Sequence, residues 1–219
     1  MAETMREMLR ALQVFPAQLP AFDVRSAPDD PVTLFLSWLA DAASDKLLGP
    51  QAMTLATADA AGRVSSRVLI CKDVDPGGRW YFASDAESGK GRDLAANPQA
   101  AASFYWPQHG RQVRVAGPAA PAGADASAAD FLARPPDSRA AALAGHQSQP
   151  LDDPAELDEA FRRSQAEIEA DPGLVAPGWT LYALTAAEVE FWQADHARRH
   201  TRLRYRRAGA GWASQQLWP

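Results

Sequence analysis

The residues with the greatest capacity for chemistry lie between Phe191 and Tyr205, in the run FWQADHARRHTRLRY. This run combines an aromatic pair, two histidines and four arginines. Cations so close together repel one another unless an anion lies among them or water surrounds each of them. The run is therefore either a solvated strand and turn or one wall of an anion-binding site.

The pattern argues against two other interpretations of this run. His196 and His200 could share a metal ion only on a helix, whereas the alternation around them favours strand and turn, and no third ligand is evident. No metal is therefore expected. A nucleic-acid surface would use the arginines, but the formal net charge of −5 and the lack of a known binding motif argue against it.

Two further stretches offer groups that could bind an anion. In SRVLICK, Arg67 and Lys72 flank an apolar run, and strand alternation would place them on opposite faces. Taken alone, that stretch is more typical of a core strand with charged ends. In SDAESGKGR, Ser84 and Gly89 precede or open a helix whose free N–H groups, with Lys90, suit a phosphate. An N-capped surface helix would give the same pattern.

Smaller motifs add polar groups elsewhere. In ARPPDS, two prolines follow Arg134, and Ser138 lies four residues after it. The guanidinium and the hydroxyl together suit a phosphate or a carboxylate. Gln112, at the start of a strand, and the Gln147-Ser148 pair, in a loop, offer amide and hydroxyl groups for the edge of a polar ring. Each motif by itself is also compatible with a purely structural role.

The hydrophobic period predicts the elements that must position these groups. Residues 1–29 should form a short helix and an extended arm. A helix should follow over 30–47, capped by Asp29 or Asp30 with Pro31 in its first turn. Alternation predicts a mainly β, α+β fold in which the first five strands approach a closed barrel. The expected strands are 52–58, 63–74, 79–84, 100–106, 111–119, 179–186, 187–193, 201–207 and 211–218, with a short helix at 88–98 and three helices between 122 and 170.

Composition limits the classes that remain. A chain of 219 residues with 47% hydrophobic content can bury one large core, so a single domain over 30–219 is expected after the N-terminal arm. The single cysteine, Cys71, excludes an internal disulfide. No signal peptide or apolar membrane span is evident, so a cytoplasmic location without membrane contact is expected.

In their order along the chain, these stretches resemble the pyridoxine/pyridoxamine 5'-phosphate oxidase family, whose members are flavoproteins with a split β-barrel and flanking helices. The resemblance runs from about Asp30 to Pro219. Together the blocks are far more specific than any one of them. They are PVTLFLSWLADA, SRVLICK, ESGKGRDLAANP, GRQVRVAG, ARPPDS, HQSQPL, EVEFWQ followed by R-x-H-x-R, and a terminal proline.

The resemblance implies FMN bound at the interface of a homodimer, with residues of two subunits building each site. One subunit should supply the flavin contacts Arg67, Val68, Leu69, Ile70, Cys71, Lys72, Ala83, Ser84, Gly89, Lys90 and Gln112. The other subunit should supply Gln147, Ser148, Trp192 and Arg202. The substrate's phosphate should meet Lys72, Arg134 and Ser138, while Arg198 and His200 should bind the substrate over its reacting carbon and act in catalysis.

The implied reaction converts pyridoxamine or pyridoxine 5'-phosphate to pyridoxal 5'-phosphate, with O2 as electron acceptor and H2O2 as product. Several positions depart from the family pattern. Asp130 stands where a tyrosine is usual, Ala194-Asp195 replaces a pair of glycines, and Gly89 replaces an arginine. The N-terminal Arg-x-x-Tyr that closes over the substrate has no clear counterpart.

These departures keep two alternatives open. One is an FMN-dependent oxidase of another reduced nitrogen heterocycle, of the dihydrophenazine-carboxylate type. The other is a non-catalytic flavin-binding protein. In each case the partner is a small phosphorylated or carboxylated heterocycle or the flavin itself.

Overall fold

The computed structural model describes residues 4–219, and its strands and helices follow one another in the mixed order that the sequence predicted. The α+β class is thereby confirmed. Among the described residues no helix combines the length and apolar character that a membrane span requires. The helices are α1 (Met5–Ala11), α2 (Pro31–Ser44), α3 (Gly89–Ala96), α4 (Ala124–Leu132), α5 (Pro136–Leu143) and α6 (Pro154–Ala170). The strands are β1 (Ala52–Ala58), β2 (Val64–Ile70), β3 (Asp73–Asp75), β4 (Arg79–Asp85), β5 (Gln99–Trp106), β6 (Arg111–Pro121), β7 (Trp179–Thr185), β8 (Glu188–Gln193), β9 (Thr201–Ala208) and β10 (Gly211–Leu217).

Helix α2 begins where the sequence predicted. The carboxylate of Asp30 accepts hydrogen bonds from the backbone N–H groups of Val32 and Thr33, and Pro31 occupies the first turn, where a missing N–H costs nothing. The apolar face of the helix buries Phe35 and Trp38. This cap and this face fix both the start and the orientation of the helix.

The chain divides into two compact units, of which the first comprises the N-terminal part to Ala52, Ser103–Val115 and Glu188–Pro219. Within it, β8, β9 and β10 form an antiparallel meander in which Trp192 pairs with Arg202. Its core is aromatic: Trp38 meets Phe191 edge to face at 5.1 Å, and Phe191 meets Tyr205 at 5.8 Å between ring centroids. The predicted catalytic run 191–205 is thus anchored at both ends by buried rings.

The second unit comprises Met53–Ala102 and Ala116–Ala187. Strand β4 pairs with β3 on one side and with β7 on the other, both antiparallel, and β7 also pairs with the end of β6. Trp80, Phe82 and Phe131 are fully buried, and the ring of Phe82 stacks on that of Tyr182 at 5.4 Å. Helices α3, α4, α5 and α6 belong to this unit.

Two sequence predictions about strands and faces are wrong. Residues 63–74 do not form one strand, because β2 ends at Ile70 and the separate strand β3 pairs with β4. The core-strand interpretation of SRVLICK fails as well, since Val68 is 68% exposed on β2, the last strand of its sheet.

The domain boundaries stay a prediction. Helix α1 and the irregular segment after it agree with a short helix and an arm over 1–29, of which residues 1–3 lie outside the described part. A single domain over 30–219 likewise stays a prediction.

Candidate functional site

A cluster of polar groups lies in the second unit where β4 ends and α3 begins. Helix α3 starts at Gly89, and the Ser88 hydroxyl caps it by accepting a hydrogen bond from the Gly91 N–H. Gly91 packs so closely against the Ala86 carbonyl that a Cβ atom at this position would overlap it. Glycine therefore allows the turn 85–88 to close onto the helix and brings Ser84 beside Lys90.

Lys90 is a buried cation whose hydrogen-bond partners are all uncharged. Its ammonium group donates to Ser84 Oγ at 2.8 Å, to Ser88 Oγ at 3.2 Å and to Gln147 Oε1 at 3.2 Å. Burial lowers the pKa of Lys90 below its ordinary value, the positive charge of Arg67 lowers this pKa further, and the negative charge of Asp85 opposes both effects. The two cations are therefore close enough to feel each other, and an anion between them would relieve that repulsion.

Arg67, on β2, is the second cation of this cluster. Its guanidinium donates to Thr57 Oγ1 at 2.8 Å and lies 3.9 Å from the Asp93 carboxylate. Asp93 also accepts from the Thr57 hydroxyl at 2.6 Å, so its charge is shared. Arg67 is therefore held by its hydrogen bond to Thr57, and its ion pair with Asp93 is long.

The loop after α5 completes the cluster. Ser84 Oγ donates to Gln147 Oε1 at 3.0 Å, and the Gly89 N–H donates to Ser148 Oγ at 3.3 Å. The sequence predicted that Gln147 and Ser148 reach the flavin from the opposite subunit, and in this structure they contact Ser84, Gly89 and Lys90 of their own chain. His146 and Ser148 have φ values of 58° and 73°, a left-handed conformation that costs energy in residues other than glycine.

A cavity of about 410 Å³ in the same unit brings together the three residues predicted to meet the substrate's phosphate, but not Arg198 or His200. Lys72, Arg134 and Ser138 line it, and Ile70 and Ala83 add apolar wall. The remaining lining residues are Asp130, Ala133, Pro135 and Trp179. Arg67 therefore lies beside Lys90, whereas Lys72 lines this cavity, so the two cations of SRVLICK lie in different places.

Asp130 occupies the cavity between two partners. One carboxylate oxygen lies 3.2 Å from the Lys72 ammonium, and the other accepts a hydrogen bond from the Trp179 indole N–H at 2.8 Å. The guanidinium of Arg134 lies 4.0 Å from the centroid of the Trp179 ring, and burial lowers its pKa. Within residues 4–219, the buried Nη1 atom of Arg134 has no hydrogen-bond partner.

The other predicted flavin residues of the second unit are uncharged, and most of them are apolar. Val68 and Ile70 are exposed on β2, while Leu69 and Ala83 are partly buried. Cys71 donates to the Asp73 carbonyl, and burial raises the pKa of its thiol to about 12, so it is a poor nucleophile.

In the first unit, Trp192 and Arg202 lie on neighbouring strands. Arg202 pairs with the buried carboxylate of Glu190 at 2.9 Å, which raises the pKa of Arg202, and it also donates to the Trp218 carbonyl at 3.1 Å. Glu190 pairs with Arg114 as well, at 2.7 Å. Gln112, on β6, belongs to the same unit and is partly buried.

Arg198 and His200 follow in the turn between β8 and β9. Arg198 has a φ of 65°, and His200 Nδ1 accepts from the Asp195 N–H at 3.1 Å, so the proton of the neutral ring lies on Nε2. The His200 ring lies 4.8 Å from that of Trp192, which contacts Phe15 at 5.9 Å. Across residues 4–219, no three His, Cys, Asp or Glu side chains form a group that could hold a metal ion.

Of the remaining arginines of β9, Arg206 is exposed, whereas Arg204 is partly buried. Arg206 pairs with Glu188 at 2.8 Å, and Arg204 donates to Gln215 at 2.9 Å. Sequence reasoning missed Asp93, Glu190 and Trp179. Glu190 lies inside the EVEFWQ block and Asp93 inside the ESGKGRDLAANP block, but no local signal marked the role of either residue or of Trp179, because their partners are distant in sequence.

Comparisons with known proteins agree with this arrangement. Residues 39–166 match the family model "Pyridoxamine 5'-phosphate oxidase", and residues 179–219 match "Pyridoxine 5'-phosphate oxidase C-terminal dimerisation region". The pyridoxine/pyridoxamine 5'-phosphate oxidase of Granulibacter bethesdensis is 37% identical over 207 residues, covering 93% of this chain and 97% of that protein. The one from Deinococcus deserti is 42% identical over 192 residues, covering 87% and 89%.

Solved structures give the same result. PhzG from Burkholderia lata 383, in complex with tetrahydrophenazine-1-carboxylic acid, is 34% identical with a TM-score of 0.82, covering 92% of this chain and 99% of that one. A pyridoxamine 5'-phosphate oxidase-related, FMN-binding protein from Nostoc punctiforme PCC 73102 has a TM-score of 0.72 at 20% identity, covering 89% and 99%, a likeness that concerns the fold.

Fold and sequence thus define a class, the oxidoreductases that use FMN and have the split β-barrel fold, as the resemblance predicted. More narrowly, the chain belongs to the pyridoxamine 5'-phosphate oxidase family. The roles of the individual site residues within that family remain predictions.

Proposed function

We propose that this chain oxidises pyridoxamine or pyridoxine 5'-phosphate to pyridoxal 5'-phosphate, with O2 as electron acceptor and H2O2 as product. The observation that supports this most strongly is the convergence of Lys72, Arg134 and Ser138 on one cavity. A lysine, an arginine and a hydroxyl are the groups that bind a phosphate ester. The names of relatives that are 42% identical point to the same substrates.

The Lys90 cluster fits the phosphate of FMN. Two cations, the Gly89 N–H at a helix N-terminus and the hydroxyl groups of Ser84 and Ser148 are suitable donors for a dianion. The hydrogen-bond partners of Lys90 among the described residues are uncharged, so a bound phosphate would give it an anionic hydrogen-bond partner in addition to the nearby charge of Asp85. The exposed apolar side chains of Val68 and Ile70 suit the flat face of a ring.

FMN held by the Lys90 cluster would supply the two-electron redox chemistry between the substrate carbon and oxygen. The chain's own residues bind and orient. Lys72, Arg134 and Ser138 are proposed to fix the substrate's phosphate, while Arg198 and the Nε2–H of His200 are proposed to lie over its ring. The contact with Trp192 and the bond from Asp195 hold the His200 ring in one orientation.

We propose a homodimer in which the flavin site is shared between subunits. Residues 179–219 match the family's dimerisation region and contain Trp192 and Arg202. Glu190 holds the Arg202 guanidinium by a 2.9 Å ion pair, so this side chain is already ordered on the chain that supplies it. Gln147 and Ser148 are proposed to act in the same chain as Lys90.

Asp130 favours a second candidate, the oxidation of a reduced nitrogen heterocycle that carries a carboxylate. Its ion pair with Lys72 removes one positive charge from the cavity, which suits a monoanion better than a phosphate dianion. The similar structure of PhzG was solved with such a carboxylic acid.

The purified protein separates these possibilities directly. It should be yellow and should release hydrogen peroxide over many turnovers with pyridoxamine 5'-phosphate. Flavin-loaded protein that gives no peroxide with either the pyridoxamine or the pyridoxine phosphate would exclude the first candidate. Turnover of dihydroaromatic carboxylic acids would then support the second, and a flavin that stays oxidised with every compound would indicate a non-catalytic binding protein.

A further inference from the structure

The charged side chains of the Lys72 cavity do not act independently, because Asp130 links two of its walls. Asp130 lies on α4, Lys72 follows β2 and Trp179 begins β7. One carboxylate oxygen pairs with the Lys72 ammonium at 3.2 Å, and the other accepts a hydrogen bond from the Trp179 N–H at 2.8 Å. With both oxygens engaged, the carboxylate is held facing the cavity.

This arrangement fixes the charge that a ligand meets. Lys72 and Arg134 contribute two positive charges and Asp130 one negative charge, so the ionisable side chains lining the cavity sum to one positive charge. The side chain of Asp130 is only 14% exposed, so water screens its charge weakly. Arg134, whose Nη1 has no partner within residues 4–219, is the cation left for an anion.

We propose that Asp130 determines which anionic charge this cavity accepts, by opposing a dianion about twice as strongly as a monoanion of the same shape. The proposal rests on the proposed function only in taking the cavity as the site of the substrate's acidic group. In the phosphate case it predicts that the advantage of the doubly charged ester over the singly charged one is smaller than it would be without the Asp130 charge. If the substrate carries a carboxylate, its single negative charge matches the single net positive charge of the cavity.

Phenyl phosphate and phenyl sulfate form a matched pair of probes. Both carry a tetrahedral acid group on the same ring, but at pH 8 the phosphate is a dianion, because its second pKa is about 6, whereas the sulfate is a monoanion. Neither can be oxidised in the manner of the substrate, so equilibrium binding is measured without turnover.

The test titrates each probe into FMN-saturated protein by calorimetry, for the wild-type protein and Asp130→Asn. The asparagine keeps the size of the side chain and an oxygen for the Trp179 N–H. We expect the variant to bind phenyl phosphate about tenfold more tightly than the wild-type protein and phenyl sulfate about threefold more tightly. The variant no longer repels the ligand, and this repulsion is about twice as large for two negative charges as for one.

Two further variants serve as controls. Asp137→Asn removes an exposed carboxylate from α5 that bonds Gln165 and does not line the cavity, so neither affinity should change. Asp130→Glu keeps the charge and should keep the wild-type preference between the probes. The visible spectrum and the thermal midpoint establish that each variant is folded and loaded with flavin.

The ratio of the two affinities decides the outcome. An increase in the phosphate-to-sulfate preference in Asp130→Asn alone supports the proposal. Equal changes for both probes, weaker phosphate binding, or no binding of either probe to any of the proteins overturns it. Peroxide formation from pyridoxamine 5'-phosphate is measured separately, so failure of the proposed function is recognised independently of these affinities.

Discussion

Lys90 illustrates how a single residue connects the folding of this chain to its proposed cofactor. A buried ammonium group with only uncharged partners is costly, because burial and the charge of Arg67 both lower its pKa. Protonation therefore favours the unfolded state, and this cost is fully present below the lowered pKa and disappears as the pH rises above the ordinary value of 10.5. A residue retained at such a cost is a good candidate for binding an anion.

The affinity for FMN should therefore depend on the protonation of Lys90. A bound phosphate dianion stabilises the charged ammonium group, so binding should be tightest below the lowered pKa of the free protein and weaken as the pH rises through it. Fluorescence titration of FMN into apoprotein between pH 7 and pH 10.5 measures this dependence. Lys90→Gln should bind FMN more weakly at pH 7. Its affinity for FMN should then change little as the pH rises to 10.5. The same decline in that variant would assign the titration to another group.

At the scale of elements, the position of α3 depends on a glycine that sequence reasoning did not single out. Sequence reasoning identified Gly89, but the close packing is at Gly91, where a methyl group would overlap the Ala86 carbonyl oxygen. At Gly89 an added Cβ would meet only Ser148 Oγ, at an ordinary 3.8 Å. Two glycines in one helix therefore have different roles.

This difference predicts contrasting effects of the same substitution. Gly91→Ala should push α3 away from the turn 85–88 and lower the free energy of unfolding by about 2–3 kcal/mol, as overpacking does. Gly89→Ala should leave stability within about 1 kcal/mol, because alanine favours the helix and has room. Chemical denaturation of both apoproteins measures these changes. Equal losses of stability would show that the contact with Ala86 is not the constraint.

At the scale of the whole molecule, exposed apolar side chains indicate where a second subunit is expected. Trp218 is 91% exposed and lies within residues 179–219, which match the dimerisation region. On β2, Val64 is 73% exposed and Val68 is 68% exposed. Large apolar side chains that are solvated in one chain are typical of surfaces buried between chains.

Replacement of Trp218 should therefore weaken the dimer. Trp218→Ser removes a large aromatic side chain from the proposed interface and should raise the dissociation constant of the dimer by at least about tenfold, with flavin content falling in parallel. Leu48→Ser is the matched control, since Leu48 is 99% exposed but lies outside both the dimerisation region and β2. Sedimentation velocity over a dilution series measures both. A monomeric wild-type protein, or equal effects of the two changes, would contradict the assignment.

The sequence by itself determined the features that depend on neighbours along the chain. The cap of α2 at Asp30, the alternation of β8 and β9 and the helix that opens at Gly89 all follow from local hydrogen bonding and hydrophobic period. The order of the motifs was sufficient to indicate the family. These features were predictable because each is set by residues within about one helical turn or one strand.

Only the tertiary structure decided which distant groups meet. It ended β2 at Ile70 because the backbone after it pairs with β4, and it placed Gln147 and Ser148 against Lys90 and Gly89 of the same chain. It also brought Asp130 onto Lys72 and Trp179, which are separated from it by 58 and 49 residues. Such pairings depend on how strands register and helices pack, and no local pattern of residue types encodes them.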